Sequence, residues 1–243
     1  MLKRERQNFI LQYINQHGTA KVAVISEMLQ ASHDTIVRDL RELSNEGMVI
    51  RVHGGALTTV PHDVKLAPTS PQLIAQKAAS LLTDKSFILT SGGEAVMELY
   101  SYLPPNFNGT LLTVSMEVAC RYSEHPLMEV IQIGDRVQKS SKLTAGSEAI
   151  MKIRQIRADM CILDATAMDP QRGMTECDWQ TAHVKLAMAE SADIIVCLAQ
   201  SSALGKLYPI QACRPQWITY LITELDPADS ALDAYRASGM RVL

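Results

Sequence analysis

Apolar residues fall at helical spacing along the first part of the chain and gather in short runs along the rest. Ile36, Leu40 and Leu43 stand at i, i+4 and i+7, one stripe of a single helix. Ser32 is placed to cap its first turn and Gly47 to end it. At about 100° per residue, Asp34, Arg38, Arg41 and Asn45 lie opposite the stripe. Val22, Ile25 and Leu29 make a second short stripe, separated from the first by Gln30, Ala31 and Ser32. An earlier helix is predicted over residues 3–16, with Phe9, Ile10, Tyr13 and Ile14 inward and Gly18 ending it. Two short helices joined by a tight turn form the helix-turn-helix arrangement, whose second helix enters the DNA major groove.

Residues 48–52 read as a short strand, His53-Gly54-Gly55 as a turn and residues 56–59 as its return. That hairpin is a wing, with glycines that permit positive φ and close approach to a phosphate backbone. The expected DNA contacts are Ser32, His33, Asp34 and Thr35 in the first turn of the recognition helix, Arg38 and Arg41 on its exposed face, and Arg51 and His53 on the wing. The competing expectation is an ordinary three-helix core in which Asp34, Arg38 and Glu42, spaced i, i+4, pair with one another.

Residues 60–70 hold Pro61 and Pro68 and little apolar pattern, and read as a linker between domain 1–59 and domain 71–243. Ser70-Pro71 opens a helix running to about Leu82. Strands are then expected over residues 86–90, 111–114, 130–133, 160–163, 194–198, 218–223 and 241–243. Helices are expected over 95–103, 116–122, 147–155, 178–191 and 227–238. Short apolar strands alternating with helices imply an α/β domain with a mainly parallel sheet covered on both faces.

Such sheets take ligands outside the carboxyl ends of their strands. Those ends carry Thr90-Ser91-Gly92-Gly93-Glu94, Ser115, Gly134, Asp164 and Thr166, and Gln200 and Ser202. Ser91-Gly92-Gly93 ahead of a helix can cradle a phosphate with backbone N–H groups.

Composition adds boundaries. The chain has 243 residues, 47% hydrophobic and 20% charged, enough for a small domain and a larger one. The N-terminus lacks an apolar signal segment and no run reaches the length of a membrane span, so a cytoplasmic protein without membrane attachment is expected. The five cysteines, Cys120, Cys161, Cys177, Cys197 and Cys213, include no Cys-x-x-Cys pair and are expected as core thiols, with no metal and no cofactor. Net charge is −3, and residues 1–60 carry seven basic against six acidic groups. DNA binding therefore has to come from local placement, aided by two copies per operator.

Residues 3–57 resemble the DNA-binding domain of the DeoR family of bacterial transcriptional regulators. The resemblance rests on Arg6-Gln7, Ser32, Thr35-Ile36, Arg38-Asp39-Leu40, Gly47 and the run Arg51-Val52-His53-Gly54-Gly55-Ala56. Val37 stands where the family has an arginine, and Lys21 and Gln30 where it has a cap serine and a turn glycine. The second part is similar to the family's sensor domain at Asp169-Pro170 with Gly173-Met174-Thr175, at Val184-Lys185 with Ala187-Met188, and at Leu198-Ala199 with Ser201-Ser202 and Gly205-Lys206. The family's sensor resembles ribose-5-phosphate isomerase in fold and binds sugar phosphates.

The resemblance implies a repressor of a carbohydrate-utilisation operon. It would bind double-stranded operator DNA as a homodimer or homotetramer and be relieved by a sugar or sugar-phosphate effector. Lys185 and Lys206 join the expected effector site, where they would offset Glu94 and a ligand phosphate. The departures lie at the strand ends, where the family's carboxylates and a lysine are replaced by neutral groups. Two other functions stay open. One is an isomerase-like enzyme, for which Asp164 and Lys185 are the surviving polar groups. The other is a regulator whose second domain only oligomerises.

Overall fold

The computed structural model describes residues 3–17, 19–52, 54–58, 68–139 and 141–243. The chain divides into two compact units, Met1–Ala67 and Pro68–Leu243. Residues 59–67 and Gly18, on which the linker and first helix stop were placed, lie outside the described residues.

The first unit runs α1 (Lys3–His17), β1 (Thr19–Lys21), α2 (Val22–Leu29), α3 (His33–Asn45), β2 (Val49–Val52) and β3 (Gly55–Thr58). The apolar stripes meet in one core of Ile10, Ile14, Val22, Ile25, Ile36, Leu40 and Leu43. Ser32 accepts the Thr35 amide at 3.3 Å and caps α3. On the buried side of α3, Asp39 is 1% exposed and takes a forked contact from Arg6 of α1, 2.5 and 3.3 Å long. That pair holds the recognition helix against α1.

The hairpin is the wing foreseen from the sequence, joined by β1 to give the order β1-β3-β2. Three residues are too few to show a period, so the pattern left β1 unannounced. β1 also accounts for Gly55. A Cβ there would strike the Ala20 carbonyl, so this glycine lets β1 pack against β3.

The second unit begins with α4 (Ser70–Ala79), whose N-cap is Thr69, one residue before the expected Ser70. It continues through β4 (Phe87–Thr90), α5 (Glu94–Leu99), β5 (Thr110–Thr113), α6 (Met116–Tyr122), β6 (Glu129–Gln132) and α7 (Ser147–Ile153). Then come β7 (Ala158–Asp164), β8 (Met168–Asp169), β9 (Gly173–Glu176), α8 (Trp179–Glu190), β10 (Ala192–Leu198) and β11 (Ile210–Cys213). The unit ends with β12 (Tyr220–Ile222), α9 (Asp233–Ala237) and β13 (Arg241–Val242). The last helix starts later than expected because Asp229 first caps a 3-10 turn over Ser230–Leu232.

Seven parallel strands form one sheet in the order β13-β12-β10-β7-β4-β5-β6. Alternation along the strands divides the core. Leu89, Cys161, Leu163, Ile195 and Cys197 enter one apolar cluster, and Ile88, Met160, Ile162, Val196 and Leu198 the other. A small antiparallel sheet, β11-β9-β8, is built from segments of two to four residues that hold no continuous apolar run, so the pattern did not announce it. Cys161, Cys197 and Cys213 are buried thiols, whereas Cys120 and Cys177 are exposed, against the expectation that all five lie in the core. Among the described residues no helix is long and apolar enough to cross a membrane.

Strand order gives the sheet one point of divergence. From β4 the chain moves outward through β5 and β6, then returns to β7 on the other side of β4 and runs outward to β13. Connections therefore diverge between β4 and β7, the topological switch point where open α/β sheets hold ligands.

One departure from the family pattern has a measurable cost. Gln30, the C-cap of α2, sits at φ 48°, the left-handed region that favours glycine. Gln30→Gly is expected to stabilise the first unit by about 1 kcal/mol in urea unfolding of the full chain. A neutral or destabilising result would show that the side chain compensates for its backbone.

Candidate functional site

The recognition helix presents its expected groups. His33, Asp34, Arg38 and Arg41 are exposed and Thr35 is half-buried, its hydroxyl 2.7 Å from that of Ser32. The proposed pairing of Arg38 with Glu42 does not form. Glu42 instead holds Lys3 of α1 at 2.7 Å and accepts from the Gln7 amide at 2.7 Å. Arg38 and Arg41 make no ion pair among the described residues, and their guanidinium groups face solvent. Arg51 is exposed on β2, and Gly54 turns the wing at φ +80° with open space around it. His53 lies outside the described residues.

In the second unit, a cavity of about 640 Å³ opens at the switch point. Ser91, Gly92 and Gly93 leave β4 on one side, and Asp164 and Thr166 leave β7 on the other. Gln138, Lys139, Ser141 and Leu143, from the segment after β6, form a second wall. Glu176, Cys177, Asp178, Thr181 and Lys185 form the third, spanning the end of β9 and the start of α8.

Buried charge sets this geometry. Lys185 is 4% exposed and Glu176 5% exposed. The Lys185 ammonium donates to Glu176 Oε1 at 2.5 Å and to the Asp164 carbonyl at 2.6 Å. Thr166 Oγ1 donates to the other Glu176 oxygen at 3.2 Å. Ser91 Oγ accepts the Asp164 amide at 3.2 Å, which ties β4 to β7 across the switch point. Asp178 accepts from the Thr181 amide and from Gln138 Nε2, both at 2.7 Å, and so docks the second wall on α8. The Gln138 hydrogen bond, followed by that of Thr181, holds the Asp178 carboxyl below its ordinary range. The Asp164 carboxylate lines the cavity and accepts no hydrogen bond among the described residues.

Of the residues expected at the effector site, Ser91, Gly92, Gly93, Asp164, Thr166 and Lys185 line this cavity. The others do not. Thr90 is fully buried and donates to the Ile162 carbonyl at 3.1 Å; it borders a small apolar void with Ile88, Val96 and Ile162. Ser115 is spent capping α6, accepting from the Val118 amide at 3.3 Å. Gly134 follows β6, an outer strand, and its carbonyl accepts from Lys152 at 3.2 Å. Gln200 and Ser202 follow β10, beyond β7, and Lys206 is exposed farther along the same segment. Glu94 is exposed at the start of α5 and reaches the site only through its charge on Asp164. Lys185 differs from its expected role as well, because Glu176 already neutralises it.

Sequence reasoning missed Gln138, Lys139, Ser141, Glu176, Asp178 and Thr181. Asp178 alone carried a local signal, as a cap residue at the start of a helix. Among the described residues no cluster of His, Cys, Asp or Glu could hold a metal ion.

Burial pushes the Asp164 carboxyl up to about 6; Lys185 opposes this, and Glu176 and Glu94 add to it. The folded state thus holds this proton to higher pH than the unfolded chain does, and its contribution to stability falls as pH rises from about 4 to about 6. Asp164→Asn removes the titration. Its stability relative to the parent is expected to rise through that window and level off above it at about 1–3 kcal/mol in its favour. Urea unfolding at several pH values checks this, and a difference independent of pH would contradict it.

Residues 68–225 match the DeoR C terminal sensor domain, and residues 6–60 match the DeoR-like helix-turn-helix domain. The HTH-type transcriptional repressor GlcR of Bacillus subtilis is 26% identical over 251 residues, covering 100% of this chain and 96% of that protein. The HTH-type transcriptional regulator GlpR of Haloferax volcanii is 29% identical over 244 residues, covering 96% and 92%. A putative aga operon transcriptional repressor of Escherichia coli O157:H7 is 25% identical over 250 residues, covering 98% and 93%. With a DeoR-type helix-turn-helix in its first unit and a DeoR sensor domain in its second, the chain belongs to the DeoR family of DNA-binding transcriptional regulators.

Proposed function

We propose that the protein represses a carbohydrate-utilisation operon and releases its operator when a small polyhydroxylated effector fills the switch-point cavity. The observation that carries the DNA half is the pairing pattern around α3. Asp39 is consumed by Arg6 and Glu42 by Lys3, so Arg38 and Arg41 stay available for phosphates. His33, Asp34 and Thr35 then lie where the first turn meets base edges, with Ser32 capping it and Arg51 on the wing. The effector half is supported by a cavity lined with hydroxyls, an amide and carboxylates, and by relatives named as operon repressors.

An effector shifts operator binding only through different affinity for the two states of the protein. Catalytic turnover has little support, because isomerisation needs a free base and an electrophilic partner and Lys185 is already engaged twice. A homodimer or homotetramer in the cytoplasm fits this reading. The first sixty residues carry almost balanced charge, and a second copy doubles the phosphate contacts.

Arg38→Ala tests the DNA half. Operator binding is expected to weaken at least tenfold, about 1.4 kcal/mol, with thermal unfolding unchanged. The operator for this titration is first selected from a random-site library by the full chain. Unchanged affinity in the gel-shift titration would remove Arg38 from the interface, and failure to select any consensus would remove the operator reading.

A further inference from the structure

One position on the outward face of α3 carries neither a charge nor a hydrogen-bonding group. His33, Asp34, Arg38 and Arg41 stand at i, i+1, i+5 and i+8, and Val37 stands at i+4. At about 100° per residue these five share an arc of about 140°, with Val37 between His33 one turn before it and Arg41 one turn after. The far flank of α3 turns toward α1, where Arg6 holds Asp39 and Lys3 holds Glu42. Val37 lies on the opposite flank, half-buried, packed against the core of the first unit and open over the rest of its surface. A β-branched side chain on a helix keeps essentially one χ1 rotamer, so its methyl groups are held in place before DNA arrives.

The first turns of a recognition helix face base edges in the major groove. Those edges carry hydrogen-bonding groups on every base pair and one apolar group, the C5-methyl of thymine. A valine against a guanine or cytosine edge takes water from polar groups and returns no hydrogen bond, which costs free energy. Against a thymine methyl it exchanges hydrated apolar surface for apolar contact, which is favourable. Arg38 and Arg41 are exposed beside it and donate to phosphates or to neighbouring bases.

We propose that Val37 is a specificity-determining residue of the operator interface and reads the C5-methyl of a thymine in the major groove. The inference rests on the operator reading above and deepens it by assigning one base to one side chain. The charged groups of the same face supply attraction, and Val37 selects among sequences by what it cannot hydrogen-bond.

The test uses the full chain and the operator it selects from a random-site library. Each thymine of that operator is replaced in turn by deoxyuridine, which removes the methyl and keeps every hydrogen-bonding group. Affinity is read by fluorescence anisotropy as the ratio between the thymine and uracil forms within one protein, so a change in the folded fraction cancels. At one thymine of a half-site the parent is expected to lose about fourfold on losing the methyl, the worth of one buried carbon. In Val37→Ala that ratio should fall to about one, because the two deletions remove the same contact. Selection is also repeated with Val37→Arg, whose long stem suits an exposed helix position and whose guanidinium pairs with guanine; guanine should replace thymine there. A ratio near one at every thymine in the parent, or a selected operator without thymine, overturns the inference and leaves the operator reading intact. A ratio that survives Val37→Ala overturns it too, as does an identical consensus for the parent and Val37→Arg. If the parent selects no consensus at all, the inference and the operator reading fall together.

Discussion

Lys185 and Glu176 are almost fully buried against each other, and the rest of the sensor unit is arranged around the cost of placing them there. An ammonium and a carboxylate removed from water need close geometry and further hydrogen bonds to hold them. The Asp164 carbonyl and the Thr166 hydroxyl provide those bonds. The result links α8, β9 and the end of β7 into one wall of the cavity. Removing one partner of such a pair leaves a buried charge uncompensated, at about 3–5 kcal/mol. The first unit uses the same device on a smaller scale: Arg6 locks the buried Asp39 and so fixes the inward side of α3. In both units internal ion pairs consume some charges and thereby decide which others face outward.

That division of charge connects the fold with its use. On α3 Asp39 and Glu42 are taken by α1, and Asp34 and two arginines stay exposed. At the carboxyl edge of the sheet Glu224, Asp135, Asp178 and Ser115 take backbone donors at the other turns, whereas the Gly92 and Gly93 amides at the cavity wall meet no protein acceptor among the described residues. Each outcome follows from where the partner of a side chain lies in three dimensions, because the local spacing of Arg38 and Glu42 by itself suggested that they would pair.

The helix-turn-helix and all seven parallel strands were legible because apolar spacing distinguishes helices from buried strands. The cavity was legible in part. Rules for strand ends pointed to Ser91, Gly92, Gly93, Asp164 and Thr166, and also to Gly134, Gln200 and Ser202, which follow strands away from the divergence point. Only the strand order separates the two groups, and no local pattern encodes it. Thr90 is one residue from the true lining, but alternation along β4 sends it to the opposite face. Glu176, Gln138 and Thr181 sit on segments brought together by tertiary packing, so sequence gave them no common signal. Lys185 lines the cavity but in a different role from the one its sequence suggested, since its partner Glu176 lies in a short strand of the small second sheet.

If the cavity governs the DNA-binding unit, the two equilibria are linked and the linkage is reciprocal. Saturating ligand must weaken operator binding by the same factor by which operator weakens ligand binding. The most direct measurement is a pair of titrations on the full chain, anisotropy of labelled operator with and without the cavity ligand, and calorimetry of the ligand with and without operator. Equal factors of about fivefold or more are expected, with the operator factor shrinking toward one in Asp164→Asn. An operator affinity that stays constant while the cavity fills would contradict the account and leave the second unit with no part in regulating the first.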